Sequence, residues 1–323
     1  MYICTVKTNT YYKKFNQKKI HKILYKMLVA ENNISNNTFS IKVRAYGQLL
    51  KFRLSALVAF SAAFGYVLGI KQGFQWAQFL GLSLGGFLIS AASVIINQII
   101  EKDLDKLMTR TRDRPLPTGR VSVQETIIYT IILTTLGIVL LVFYTNLLTV
   151  ILSVVSMILY SFVYTPLKRV GPIAVFVGAI PGALPPLLGW TAATGEITYQ
   201  AMLIFGIQFI WQFPHFWAIA WVLDEDYQKA GFKLLPSASG RSANSALQIM
   251  IYTLFLIPLG LLPSLFGLTG VISSAVVTIC GCLFLAQSFY LMKDGSKESA
   301  RRIMFGSFLY LPIVQIAFLL DKI

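Results

Sequence analysis

Acidic residues are scarce in this chain, 13 against 28 lysines and arginines, which leaves a formal charge of +15. Histidine occurs only at His21 and His215, leaving little room for a multi-histidine metal site. The three cysteines, Cys4, Cys280 and Cys282, lack metal-site spacing, and the last two lie inside an apolar run; neither a disulfide framework nor a zinc centre is expected. Residues 1–45 contain no apolar stretch of the secretory-signal kind, and no Gly/Ser-rich linker interrupts residues 46–323. What the sequence does have is apolar length. With 56% hydrophobic residues and a mean hydropathy of +0.67 over 323 residues, it is too apolar for a soluble domain and reads as an all-α, polytopic membrane protein. On a soluble chain the charge would raise the question of nucleic acid; here topology accounts for it, and no nucleic-acid partner is expected.

Nine apolar segments lie beyond Arg53, near 53–70, 77–99, 122–143, 147–164, 172–193, 200–222, 246–265, 269–291 and 303–320, each close to the roughly 20 residues a membrane-crossing helix needs. Assigning Lys and Arg to alternate sides puts all but Lys71 and Lys322 on one face, the strong bias that cytoplasmic loops show. The N-terminus is therefore expected to be cytoplasmic, with every charged loop of interest on that side. The opposite loops are too short to build a domain. Residues 1–45 read as a basic cytoplasmic arm, lysine-rich with Glu31 its one acid, and residues 46–323 as one nine-helix domain. The arm suits either a disordered tail or an interfacial helix drawn to anionic lipid. Its lack of arginine before Arg44 argues against a mitochondrial transit peptide. Lysine and asparagine enrichment suits an AT-rich bacterial genome, so the bacterial inner membrane is favoured over the mitochondrial one.

The chemistry concentrates between Asn97 and Gly119, NQIIEKDLDKLMTRTRDRPLPTG. Asn97, Glu101 and Asp105 fall at i, i+4 and i+8, and share one helix face. Asp103 points elsewhere. Arg110, Arg112 and Arg114 come next, with Lys106 nearby, before Pro115 and Pro117 force an extended exit. Oxygen ligands succeeded by guanidinium groups point to a Mg²⁺-bound phosphate, since magnesium takes a few carboxylates plus phosphate oxygens and arginine matches the rest bidentately.

A second polar element, Asp224-Glu225-Asp226-Tyr227-Gln228-Lys229, closes the sixth segment on the same face. Alone it would be an ordinary solvated helix end; paired with the first, it suggests a second metal position around one diphosphate. Lys168 and Arg169 after the fourth segment add two cations, although such residues also serve simply as topology markers. The fifth segment holds Pro181, Pro185 and Pro186, which predicts a broken helix beside a cavity, with close Gly/Ala packing as the competing account. In the sixth, His215 at membrane depth suits contact with a porphyrin, a diphosphate or a proton, or simply a hydrogen bond to a neighbouring helix, and Trp211 and Trp217 beside it suit walling a prenyl chain or steadying a carbocation, or simply the core.

Taken together, NxxxExxxD, RTRDRPLPTG, YTPLKR, GAIPGALPPLLGW and WQFPHFW resemble the UbiA superfamily of intramembrane prenyltransferases, from about Arg44 to the C-terminus, and within it the branch that farnesylates protoheme IX. The acidic element marks the superfamily; the proline-rich and PHFW elements point to the heme branch. The resemblance implies nine helices around a central cavity, farnesyl diphosphate and protoheme IX as substrates, the lipid bilayer as surroundings, a heme A synthase as a candidate partner, and Mg²⁺ as cofactor. Carried onto this chain, Asn97, Glu101 and Asp105 would bind Mg²⁺-diphosphate, Asp226 with Asp224 would form the second acidic site, and Arg110, Arg114, Lys168, Arg169 and Lys229 would hold phosphate. His215, with Trp211 and Trp217, would meet the heme. Position 101 is Glu where many members have Asp, and the second element lacks a clean DxxxD, which leaves open which acid there reaches metal. Two other readings compete. A sibling that prenylates an aromatic quinone precursor shares both acidic elements and differs only in its acceptor cavity. A transporter needs sites near the midplane, whereas these charges gather at one face.

Overall fold

Apolar length alone dictates most of the architecture. Among the residues that the computed structural model describes, 40–323 apart from Gln72 and Ala238, nine helices are long and apolar enough to cross a membrane. They are α1 (Phe52–Gly69), α2 (Trp76–Ile100), α3 (Val123–Tyr144), α4 (Leu147–Leu167), α5 (Ile173–Thr194), α6 (Tyr199–Lys229), α7 (Ala243–Leu265), α8 (Val271–Asp294) and α9 (Lys297–Leu320). The chain divides into two compact units, Met1–Gly47 and Gln48–Ile323. Of the first, residues 40–47 are described and are helical; the expected basic arm otherwise lies outside the described residues.

Side-chain caps fix where five of the helices begin. Ser122, Asn146, Thr198, Ser242 and Ser296 each accept a backbone N–H from the first turn of α3, α4, α6, α7 and α9. The two ends of the bundle differ sharply. At the end opposite the charged loops, Lys322 donates to the terminal carbonyls of α1, Val67 at 3.0 Å and Ile70 at 2.5 Å, while Asp321 accepts from the Ser273 amide at 2.7 Å. This lysine, one of the two on the sparse face, is a helix cap.

Three features shape the interior. First, α1 and α5 pack backbone to backbone: a Cβ at Gly65 would lie 1.9 Å from Pro186 O, and one at Gly189 would lie 1.9 Å from Ala62 O. Only glycine permits that approach. Second, α5 is continuous from Ile173 to Thr194 despite Pro181, Pro185 and Pro186, where the proline count predicts a break. Pro185 and Pro186 have no N–H to give the carbonyls four residues back, Pro181 and Gly182. Those carbonyls instead accept from Ser156 Oγ at 3.4 Å and Gln208 Nε2 at 2.8 Å, so neighbouring helices satisfy them inside the bilayer. Third, α4 widens into a π-helical turn over Leu159–Tyr164, a local irregularity of the kind often found at functional sites. It brings Tyr160 and Tyr164 to the wall of a cavity of about 340 Å³ enclosed by α1, α2, α4, α5, α6 and α9.

Candidate functional site

The acidic face at the end of α2 survives the end of the regular helix. Glu101 caps α2 at φ −90° and ψ 4°, its amide still bonded to Asn97 O at 2.9 Å, and one further turn over Lys102–Asp105 returns the Asp105 amide to Glu101 O at 2.8 Å. Asn97, Glu101 and Asp105 therefore stay on one side, 2%, 4% and 0% exposed. Polar groups this buried need partners. Asn97 Nδ2 donates to Thr165 Oγ1 at 3.0 Å, which leaves its Oδ1 available. Lys168 Nζ reaches Glu101 Oε1 at 2.8 Å, and Arg114 holds both oxygens of Asp105 at 3.0 and 2.8 Å. The spacing is legible in the sequence; the cation that each carboxylate holds is not.

Lys168 itself is buried, which works against its charge, but Glu101 outweighs that cost and the ammonium is held above its ordinary pKa. Its Nζ also lies 4.8 Å over the Tyr164 ring and 5.6 Å over that of Phe232. Lys51 belongs to the same cluster, and nothing in the sequence singles it out from the other lysines. It takes the left-handed conformation, φ 43°, the one non-glycine positive φ among the described residues. Such strain, about 1–3 kcal/mol, tends to persist where function requires it. Burial, reinforced by Arg114, Lys168 and Arg110, pushes the Lys51 ammonium down to about 7. Nothing in the sequence signals that backbone conformation.

The second polar element does not act as a block. Asp224 and Glu225 turn to Arg241, at 3.6 and 3.0 Å, and Arg241 Nε donates to Trp221 O, which ties the loop after α6 back onto that helix. Asp226 alone faces the first element. It accepts from the Thr109 amide at 2.8 Å, the Arg110 amide at 3.1 Å and Lys229 Nζ at 2.9 Å, and so clamps the arginine-bearing loop against α6. Lys229 also donates to Thr109 Oγ1 at 2.9 Å. The loop after α4 joins through the Lys233 amide, bonded to Lys168 O at 2.8 Å. Arg169 lines a surface depression together with Glu101, Thr165 and Lys233, so it reaches the same cluster from the outer side of Glu101.

Asn97, Glu101 and Asp105 offer hard oxygen donors to a divalent cation, and the donor set suits Mg²⁺. Among the described residues no three Asp, Glu, His or Cys side chains gather as a metal cage. The set is two carboxylates and an amide, which fits a metal that also needs oxygens from its ligand.

Below this cluster the cavity runs down between α2, α4, α5 and α6. His215 and Trp211 line it, stacked with centroids 4.4 Å apart and both tied to Ser307, through His215 Nδ1 at 2.8 Å and Trp211 Nε1 at 3.1 Å. Trp217 does not line it; it packs against Phe213 and Tyr252 on the far side of α6. Two helical turns separate residues 208 and 215, so Gln208, Gln212 and His215 share a polar stripe that reading PHFW alone overlooks.

The model of the UbiA prenyltransferase family matches residues 58–311 of this chain. A protein of Cytophaga hutchinsonii described as protoheme IX farnesyltransferase is 55% identical over 280 residues, covering 87% of this chain and 98% of its own. Among solved structures, a digeranylgeranylglyceryl phosphate synthase superposes with a TM-score of 0.73 at 21% identity over 87% of this chain and 98% of its own. A UbiA homologue of Archaeoglobus fulgidus bound to DMAPP and Mg²⁺ gives 0.60 at 20% identity, over 84% of this chain and 98% of its own.

Proposed function

The chain belongs to the UbiA prenyltransferase family, and from that premise we propose that it transfers the farnesyl group of farnesyl diphosphate to the 2-vinyl group of protoheme IX, giving heme O. The observation that carries this reading is the placement of paired carboxylates and cations at the mouth of an apolar cavity whose wall holds His215 and Trp211. The protein is a multi-pass membrane enzyme. We place it in the bacterial inner membrane with its charged loops cytoplasmic, because all but two of its lysines and arginines fall on that side.

When bound, Mg²⁺ at Asn97, Glu101 and Asp105 supplies charge stabilisation for the departing diphosphate, and Asp226 would contribute from the second element. Arg110, Arg114, Lys168, Lys229 and Lys51 hold phosphate oxygens, with Arg169 adding positive potential beside Glu101. Together they stabilise the charge that develops on the leaving group, so the allylic C–O bond ionises without a protein nucleophile. Tyr160 and Tyr164 line the cavity where the cation would form and supply aromatic surface to it, and the cavity keeps bulk water out. His215 has Nδ1 committed to Ser307, which turns Nε2 to the cavity and the acceptor. A heme A synthase is the natural consumer of the product.

Expression in cells that make protoheme but no heme O tests the reading by chromatography and mass spectrometry of extracted hemes. Heme O is expected; unchanged protoheme beside a newly prenylated aromatic acid would overturn the choice of acceptor.

Lys51 gives a pH signature. Its folded pKa is about 7 against an ordinary 10.5, so at pH 8 the ligand-free protein holds it mostly neutral. An arriving diphosphate favours the charged form and draws in a proton. Between pH 7 and 10 the binding enthalpy of diphosphate with Mg²⁺ should therefore depend on the buffer's own heat of ionisation. Below that window Lys51 is already protonated and the dependence should fade. Lys51→Met should abolish it; an undiminished dependence would assign the proton to another group.

A further inference from the structure

Heme O differs from a simple farnesyl adduct by a hydroxyl, so one water has to be held in a cavity that otherwise keeps water out. A buried water requires two to four polar partners. Gln212 is the side chain placed to supply them. It is 2% exposed, lines the cavity, and spends one Nε2 hydrogen on Ala179 O at 3.1 Å. Its Oε1 and its other hydrogen meet no protein group among the described residues, which leaves an acceptor and a donor on the cavity side. The fold makes room for that amide: a Cβ at Gly182 would lie 2.2 Å from Gln212 Oε1.

The depth is right for the reacting carbons. On α5, Gly178 abuts the Tyr164 ring and Gly182 abuts the Gln212 amide, four residues or about 6 Å further from the mouth. Tyr164 directly precedes Thr165, the partner of Asn97. The Gln212 amide thus sits one helical turn below the diphosphate cluster, where the first carbons of the prenyl chain would lie. Ser156, also on the cavity wall, gives its hydrogen to Pro181 O and keeps its lone pairs for a third contact. A neutral amide suits the task, because a carboxylate there would compete for the cation as a nucleophile.

We infer that Gln212 holds the water that ends the reaction, an inference that rests on the farnesyl-transfer reading above. The C1–O bond of farnesyl diphosphate breaks with its electron pair leaving on diphosphate, and the vinyl π pair forms the new C–C bond. Water oxygen adds to the resulting porphyrin-conjugated cation, and its proton passes to the released diphosphate, the base the reaction itself provides. Without a held water, the same cation loses a proton to give the alkene, a product lighter by one water.

The test is the ratio of hydroxylated to dehydrated farnesyl-heme, read by mass spectrometry, for wild type and Gln212→Met. A fall of roughly tenfold is expected, the effect of one lost hydrogen bond on a competing barrier. Gly182→Ala, which displaces the amide without removing it, should move the ratio the same way. An unchanged ratio in both variants overturns the inference, as does a folded Gln212→Met protein that makes neither product, since Gln212 would then act before hydration. If Gln212→Met fails to fold, Gln212→Asn, one methylene shorter, decides by the same ratio. A wild-type protein that makes no farnesyl-heme of either kind would instead overturn the transfer reading itself.

Discussion

Asp105→Asn should abolish heme O formation in cells and lower kcat/KM by roughly 10²–10³-fold or more in the purified enzyme, the scale expected when charge stabilisation of a leaving group is removed. The residue is 0% exposed, and its two oxygens are bonded only to Arg114. Neutralising it would therefore replace a carboxylate of the proposed metal site by a weaker amide donor and strand a guanidinium that is itself 17% exposed. Breaking a buried pair from one side costs about 3–5 kcal/mol, so a loss of activity could be mistaken for a loss of fold. The double variant Asp105→Asn/Arg114→Gln separates the two. With no charge left unpaired it should regain most of the lost thermal stability and none of the activity. If the double variant recovers both, Asp105 serves the fold alone. If Asp105→Asn keeps its activity, the assignment of the α2 face fails.

The face was legible because a spacing of four residues maps directly onto a helix, whatever surrounds it. The nine spans were legible for a similar reason, since bilayer thickness sets their length. What the spacing hides is the partner. Nothing in Asp224-Glu225-Asp226 tells which acid turns inward; Arg241, reaching back from the next loop, takes the first two and leaves Asp226 to clamp Thr109 and Arg110. Helix ends were hidden as well. α6 continues to Lys229 and α9 begins at Lys297, beyond the apolar limits near 222 and 303, because polar loop contacts and the Ser296 cap extend them. The prolines of α5 predict a break by local rules, and only the distant Gln208 and Ser156 explain why the helix holds. Trp211 and Trp217 look alike as letters, but six residues on a helix leave the second about 120° round from the first, against Tyr252 rather than the cavity.

The pairing of each acid with a cation would also govern how Mg²⁺ and diphosphate bind at the proposed site. Mg²⁺ alone should bind weakly, because taking Glu101 and Asp105 leaves Lys168 and Arg114 buried without partners. Diphosphate alone should bind weakly for the mirror reason, since drawing the two cations onto phosphate oxygens strands the carboxylates. Arriving together, they should exchange partners: the carboxylates would turn to metal and the cations to phosphate, leaving no buried charge uncompensated. Calorimetric titration of each ligand with and without the other measures the coupling. The affinity of each should rise by the same factor in the presence of the other, roughly 5–150-fold for typical couplings of about 1–3 kcal/mol. The effect resides in the ion pairs, so Lys168→Met, which frees Glu101 beforehand, should bind Mg²⁺ alone more tightly than wild type and show a smaller factor. Independent binding of the two ligands would mean that the ion pairs stay closed when the site fills.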